Sequence, residues 1–372
     1  MGSTTLLTEL DDTLFHQAPL PFAYVASSDH RFYDRYWFQG FTTDGPRGFI
    51  LGMGRYANMN VLDGFLTIQE GGRQHNVRVS RALRPALHDT SVGGLNVEVK
   101  QGLQKFRLQM EKGKYPIACD VTWTGAIPTY MEGHSLNYAN DRVTTDMYRL
   151  DQIGSVNGFL EIDGERVDVS DWWGARDHSW GVRPGVGGFE PTTGVGGGGR
   201  FFVWLLFKAG DIAGQFQLHE NPDGERQFLD GYITGVDGSD QEEVEVVDVE
   251  HDIEFHPGTR AWKQCEMTLT TSDGQKWKVE SKPTFAAGWA YSGTGYDGGW
   301  IDRKGLGAFR GEFVSETDTY DVSDPEIVRD LEGNEIYPGH REQPSTIKVN
   351  GVDGMAHFPI MIGGPYHRYG IK

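Results

Sequence analysis

The sequence predicts an all-β protein: two antiparallel β-barrels or β-sandwiches packed together, with a ligand pocket near their junction. Three observations carry that expectation. Glycine is unusually abundant, at 51 of 372 residues, and mostly punctuates short runs. Those runs alternate apolar and polar residues with the period of two that a half-buried strand requires. Between them stand Asp-Gly and Gly-Gly pairs, which supply the left-handed backbone angles of tight hairpin turns.

The elements follow in chain order. Thr5 to Gln17 could form a short helix. Asp29 to Phe38 alternates polar and ring residues and could line a pocket or cover a barrel end. Phe65–Ile68 and His75–Val79 flank Gly71-Gly72 as a hairpin. Phe159–Ile162 and Glu165–Val169 flank Asp163-Gly164 in the same way, and Met267–Thr270 and Lys276–Val279 flank Ser272-Asp273-Gly274. Phe201 to Phe207 is an apolar run of strand length, and Glu243 to Phe255 alternates like a strand with one wet face. Ser323-Asp324-Pro325-Glu326 has the form of a helix start, with proline in the first turn. Glycines crowd Pro184 to Gly199 too densely for a strand, so the expected division is residues 1–190 and 191–372 around a linker or mobile loop.

Charge and cysteine usage narrow the partners. Lys+Arg 34 against Asp+Glu 53 gives a net charge of −19, which opposes binding to a nucleic-acid backbone or an anionic membrane surface. No apolar run approaches the ~20 residues of a membrane-spanning helix, and Met1 to Thr5 does not open a secretory signal. The expectation is a cytoplasmic protein with a small, uncharged or weakly charged hydrophobic ligand; monomer and homodimer both stay open. Cys119 and Cys265 lie inside strand-like runs and read as two buried, reduced thiols.

The densest chemistry lies in Asp171 to Arg183. Its thirteen residues hold three tryptophans, two aspartates, two arginines and a histidine. Large apolar faces mixed with a few ionisable groups are what a pocket wall needs; a structural ion-pair cluster under tryptophan packing is the alternative. Phosphate-loop, nucleophile-elbow, zinc and calcium-loop spacings are all missing, so no metal and no cofactor is expected. The candidate catalytic residues are Asp177, His178 and Arg176, with Trp172, Trp173, Trp180 and Arg183 binding substrate beside them. Tyr36, Trp37, Tyr56, Asn58, Trp289 and Tyr291 join them from other ring-rich segments. A carboxyl group among indoles has its pKa raised by desolvation and stays ready to donate a proton. A nearby imidazole accepts one near neutral pH. Regular strand alternation would put Arg176, His178 and Trp180 on one face and Trp173, Asp177 and Ser179 on the other, so one set would be structural.

Gly174-Ala175-Arg176-Asp177-His178-Ser179-Trp180-Gly181 resembles the Asp-His-x-Trp-Gly segment of carotenoid 1,2-hydratases and the related AttH-type lipocalin-like proteins. Fungal lipocalin-like Diels–Alderases and plant tocopherol cyclases are more distant in pattern. The segments Phe32–Trp37 and Gly52–Gly64 resemble bacterial members of the group rather than the carotenoid enzymes. The resemblance implies two lipocalin-like β domains, no cofactor, and a greasy substrate held near their junction. Three functions are consistent with it. The first is a hydratase or other lyase acting on a terpenoid, polyketide or aromatic molecule. The second is a cyclase or isomerase that shapes its substrate while Arg and Tyr donors polarise a carbonyl. The third is a carrier without turnover.

Overall fold

A computed structural model describes residues 9–12, 14–42, 47–139, 141–188, 200–236, 239–284, 288–296 and 298–372. Among them the chain is built almost wholly of antiparallel strands and contains no α-helix. The expected hairpins form where the turn residues predict them. Asp163 and Gly164 both take positive φ, 49° and 86°, as do Gly71 and Gly72 at 56° and 82°. Neither expected helix is present among the described residues: Glu9–Asp12 is a single 3-10 turn, and residues 5–8 and 13 lie outside them. At Ser323–Glu326 the Asp324 carboxylate accepts the backbone N–H of Glu326 and Ile327, both at 2.8 Å. That satisfies the turn locally, and the chain goes straight into the short strand Val328–Asp330. Of the glycine run at 184–199, residues 189–199 lie outside the described residues.

The C-terminal body is a closed barrel. Strands Arg200–Ala209, Ile212–Glu220, Arg226–Gly235, Val244–Phe255, Trp262–Thr271, Lys276–Pro283, Pro344–Val349 and Val352–His357 pair in that order, and the last returns to the first. Closure removes the unpaired edges that an open sheet would expose. Phe201, Val203, Leu205 and Phe207 point into the barrel with Phe216, Leu269 and Val279. Trp204 and Leu206 point outward yet are also buried. A strand covered on both faces explains why Phe201 to Phe207 reads as a continuous apolar run.

The N-terminal body is a long sheet that curls on itself. Its centre runs Arg73–Ala82, Val61–Glu70, Arg47–Tyr56, Phe32–Phe41, Glu165–Val182, Arg142–Ile162, Ile117–Gly125, Lys105–Met110 and Leu95–Gln101. One face encloses Phe38, Leu66, Val77, Leu108, Val121 and Trp123. The other carries Tyr33, Trp37, Phe41, Phe65, Ile153 and Trp173 against Trp204, Leu206 and Met355 of the barrel wall. The C-terminal half also contributes to this sheet. Strand Phe313–Asp321 pairs with Arg73–Ala82, so a segment from the 191–372 half completes the N-terminal sheet. Within the described residues no helix is long and apolar enough to cross a membrane. Cys119 and Cys265 are buried free thiols.

Candidate active site at the sheet–barrel junction

The strand Glu165–Val182 is the wall between two environments. Near its turn the hairpin pairs Ile162 with Glu165 and Gly158 with Val169; a bulge between Val156 and Gly158 then shifts the register by one, so Asp151 faces Asp177. From Trp172 onward the alternation is regular, and it separates the two candidate acid–base residues. Arg176 and His178 face the N-terminal sheet's own interior side, whereas Asp177 faces the barrel.

On the interior side Arg176 is buried over the rings of Phe106 and Trp123, at 4.6 and 5.4 Å, and its Nε donates to Gln152 Oε1 at 2.9 Å. Burial there lowers its pKa to about 10. His178 lies 2.7 Å from Asp34 and packs on Tyr36 and Trp180, with ring centroids 4.5 and 5.2 Å away. Trp172 belongs to the apolar core on this side. Arg176, His178, Trp172, Trp180 and Tyr36 therefore form one group, and none of them shares a face with Asp177. Asn58 belongs to neither group: it is exposed, and its Nδ2 donates to the carbonyls of Ser27 and Asp29 at 2.7 and 2.8 Å, which fastens the N-terminal segment.

The junction face gathers the remaining candidates. Trp37 pairs with Asp177 across the strands. Tyr56 accepts a 2.8 Å hydrogen bond from Arg35, which is itself 3.6 Å from Asp63. Glycine makes room for this layer: a Cβ at Gly52 would sit 3.1 Å from Arg35 Nη2, and one at Gly54 would sit 2.5 Å from Tyr56 Oη. Trp289 and Tyr291 come from the loop that closes over the face; Tyr291 stacks on His340 at 3.8 Å and Tyr296 at 4.6 Å. Arg183 lies over Tyr33 and Tyr296.

Three carboxyl groups meet one guanidinium beside Asp177. Arg149 is 3.5 Å from Glu132 and 4.0 Å from Asp177, and it lies 5.2 Å over the Trp204 ring. Gln217 of the barrel donates to Glu132 at 2.6 Å. Asp151 is wholly buried, and no amide, guanidinium or hydroxyl donor among the described residues reaches either oxygen. Burial, reinforced by the Glu132 charge, pushes the Asp151 carboxyl well above its ordinary pKa. Burial raises Asp177 as well, with Arg149 holding it back. Burial and the neighbouring charge both favour the protonated form of Asp151.

Across Trp37 and Trp204 stands an imidazole. His357 is fully buried, with ring contacts of 5.0 Å to Trp37 and 4.8 Å to Trp204. Its Nε2 lies 2.7 Å from Glu342 Oε2, and Nδ1 has no hydrogen-bond partner among the described residues. Burial opposes ionisation of Glu342, but His357 and His340 hold its carboxyl down at about 2. On the same face the Nε1 atoms of Trp37, Trp173 and Trp204 and both amide atoms of Gln39 also have no hydrogen-bond partner among the described residues. Buried polar atoms are nearly always satisfied, so this group has unused bonding capacity and makes the junction face the candidate site.

A family model matches residues 7–372, nearly the whole chain; its description is a family of unknown function, DUF8625. The chain belongs to that family. Among curated proteins none matches this DUF8625 member in sequence. Among solved structures it is similar to a protein described as an AttH from Nitrosomonas europaea, at 13% identity and TM-score 0.51, over 93% of this chain and 98% of the other. That likeness shows a shared all-β, two-domain lipocalin-like fold. Kievitone hydratase from Nectria haematococca aligns at 11% identity and TM-score 0.42, over 89% of each chain. CghA aligns at 11% identity and TM-score 0.47, over 90% of each chain.

Sequence reasoning missed Glu132, Asp151, His357 and Glu342. For Asp151 a signal existed. Counting back from the Asp163-Gly164 turn pairs it with position 176, and the one-residue bulge moves it onto Asp177. Glu132, Glu342 and His357 arrive from separate strands and loops, and no local pattern marks them.

Proposed function

We propose that the protein is a cofactor-independent enzyme of hydratase, dehydratase or cyclase type, acting on a largely apolar small molecule at the sheet–barrel junction. One observation carries this reading: a buried carboxyl cluster, in which burial favours the protonated form of Asp151, is linked through two indoles to a buried imidazole whose Nδ1 has no hydrogen-bond partner among the described residues. In the hydration direction, the Asp151–Asp177 cluster gives its proton to an alkene carbon. The Trp37 and Trp204 faces steady the resulting cation, each worth about 1–2 kcal/mol when desolvated. Water attacks that cation, and His357 takes the proton that water releases. Transfer of that proton back to the carboxyl cluster restores the starting state; dehydration runs the same steps in reverse. In a cyclisation the protonated carboxyl polarises a carbonyl without leaving it. His178 and Arg176, on the other face, support the wall.

The test is chromatography with mass spectrometry on a library of apolar alkenes, enones and polyenes. Wild-type protein should produce gain or loss of one water, or a new isomer of unchanged mass. Asp177→Asn and Asp151→Asn should bind the same compound without converting it. Protein stripped by chelation and dialysis should convert it at the same rate. Binding without conversion by wild type across the library would make the protein a carrier.

A further inference from the structure

The chain carries a strong negative charge, yet four arginines gather at the junction. Arg35, Arg149, Arg183 and Arg200 stand close enough for each to feel others of the set. Arg35 has Asp63, and Arg149 has Glu132 and Asp177. Arg183 has no carboxylate within 4 Å among the described residues. Its one hydrogen bond there is a marginal 3.5 Å contact from Nε to the Pro184 carbonyl. Instead its guanidinium lies 5.3 Å from the Tyr296 ring and 5.7 Å from the Tyr33 ring. Arg35 occupies the same Tyr296 ring at 4.9 Å. Among the described residues Arg200 meets no carboxylate: its guanidinium lies 5.2 Å over the Phe202 ring, and its Nη2 is 3.2 Å from Nε2 of His219, whose pKa burial and Arg200 press down to about 3. Among the described residues, then, Asp63, Glu132 and Asp177 lie beside Arg35 and Arg149, and no carboxylate lies within 4 Å of Arg183 or Arg200.

An arginine stacked on rings keeps its planar N–H fork free at the edge, and that fork matches two oxygens of one carboxylate. Asp177 feels the Arg183 charge without touching it, and a largely buried cation with no anion in contact costs free energy that a bound anion would recover. We propose that the junction's ligand is an apolar molecule bearing a carboxylate, and that Arg183 receives that group while Arg35 and Arg200 add to the field. This rests on the junction being the ligand site, and it adds the chemical class of the ligand's polar end. It also reverses the expectation from net charge, because a local field, not the sum over the chain, decides what a pocket holds.

The probe is a matched pair, 2-naphthylacetic acid and 2-naphthylacetamide, titrated at neutral pH by calorimetry and by quenching of tryptophan fluorescence. Wild-type protein should bind the acid about tenfold or more tighter than the amide, as expected for a charge-assisted pair. Arg183→Leu should abolish that preference while binding of the amide stays within about twofold, and Arg183→Lys should retain part of it. Equal affinity of wild type for acid and amide, or a preference that survives Arg183→Leu, would overturn the carboxylate proposal and leave the junction site standing. Failure of both probes to bind would count against the junction site itself and the proposal with it. If Arg183→Leu does not fold, the wild-type comparison alone decides.

Discussion

Among the described residues two barrel histidines, His251 and His357, are buried against a glutamate, and the two pairs differ in one respect. In the barrel interior His251 has every ring position occupied. Tyr369 Oη lies 2.7 Å from Nδ1, while Glu220 and Arg368 approach Nε2 at 3.3 Å. Glu220 also accepts from Tyr366 Oη, and Phe201 stacks on the imidazole at 4.8 Å. On the barrel's outer wall His357 has Glu342 at one nitrogen and no hydrogen-bond partner among the described residues at the other. The residue types and depth of burial are alike. A saturated network specifies and rigidifies a core; an open one leaves bonding capacity for something that arrives later. The difference teaches that unsatisfied valence, rather than the presence of a histidine beside a carboxylate, points to function.

The largest expected effect would break this comparison outright. With a converted substrate in hand, His357→Gln should lower turnover by ~10²–10⁴-fold, the usual loss for a positioned acid or base, while His251→Gln should leave the rate per folded molecule unchanged. Equal losses from both would remove the distinction. Stability should show the reverse order. His251→Ala breaks a fully satisfied buried pair and should cost about 3–5 kcal/mol in denaturant melts, well above the cost of His357→Gln.

The third prediction concerns pH. Burial raises the Asp151 pKa above its unfolded value, so the folded state holds a proton that the unfolded chain releases. The resulting penalty grows as pH climbs from about 4, the ordinary aspartate value. Asp151→Asn should therefore raise the melting temperature by a few degrees at neutral and alkaline pH, with the gain vanishing in acid. A stabilisation independent of pH would show that Asp151 is ionised in the fold. The smallest effect belongs to the other face of the wall. His178 and Asp34 retain 23% and 47% side-chain exposure, and such pairs contribute at most about 1 kcal/mol. His178→Gln should change the melting temperature slightly and ligand binding not at all.

Much of the fold was legible because its signals are local. Asp163-Gly164 and Gly71-Gly72 each specify a turn from two residues, and alternation alone separates Asp177 from His178. What stayed hidden depends on distant partners. Glu132, Asp151 and His357 come together only when a hairpin, a strand edge and a barrel wall converge; the Asp163-Gly164 turn places Asp151 to within one residue of its partner, and nothing near Glu132 or His357 in sequence marks the meeting. The helix expected at Ser323 failed for a similar reason: Asp324 does cap two N–H groups, but sheet pairing from Val328 onward claims the chain.

The return of Phe313–Asp321 to the N-terminal sheet has a consequence for how the protein is made. Arg78 there binds Asp318 through two nitrogens, at 2.6 and 3.2 Å, and Asn76 donates to the same carboxylate at 2.8 Å. On the ribosome, the strand bearing Asn76 and Arg78 emerges more than two hundred residues before its partner. Through that interval it is an unpaired edge holding an uncompensated arginine. The N-terminal sheet therefore cannot be finished co-translationally as a separate unit, and the barrel has to be largely synthesised before the first sheet acquires Phe313–Asp321 and the two short strands beyond it. Expressing residues 1–190 alone should yield a sticky, incompletely folded fragment, and adding the remainder in trans should rescue it only if strand Phe313–Asp321 is included.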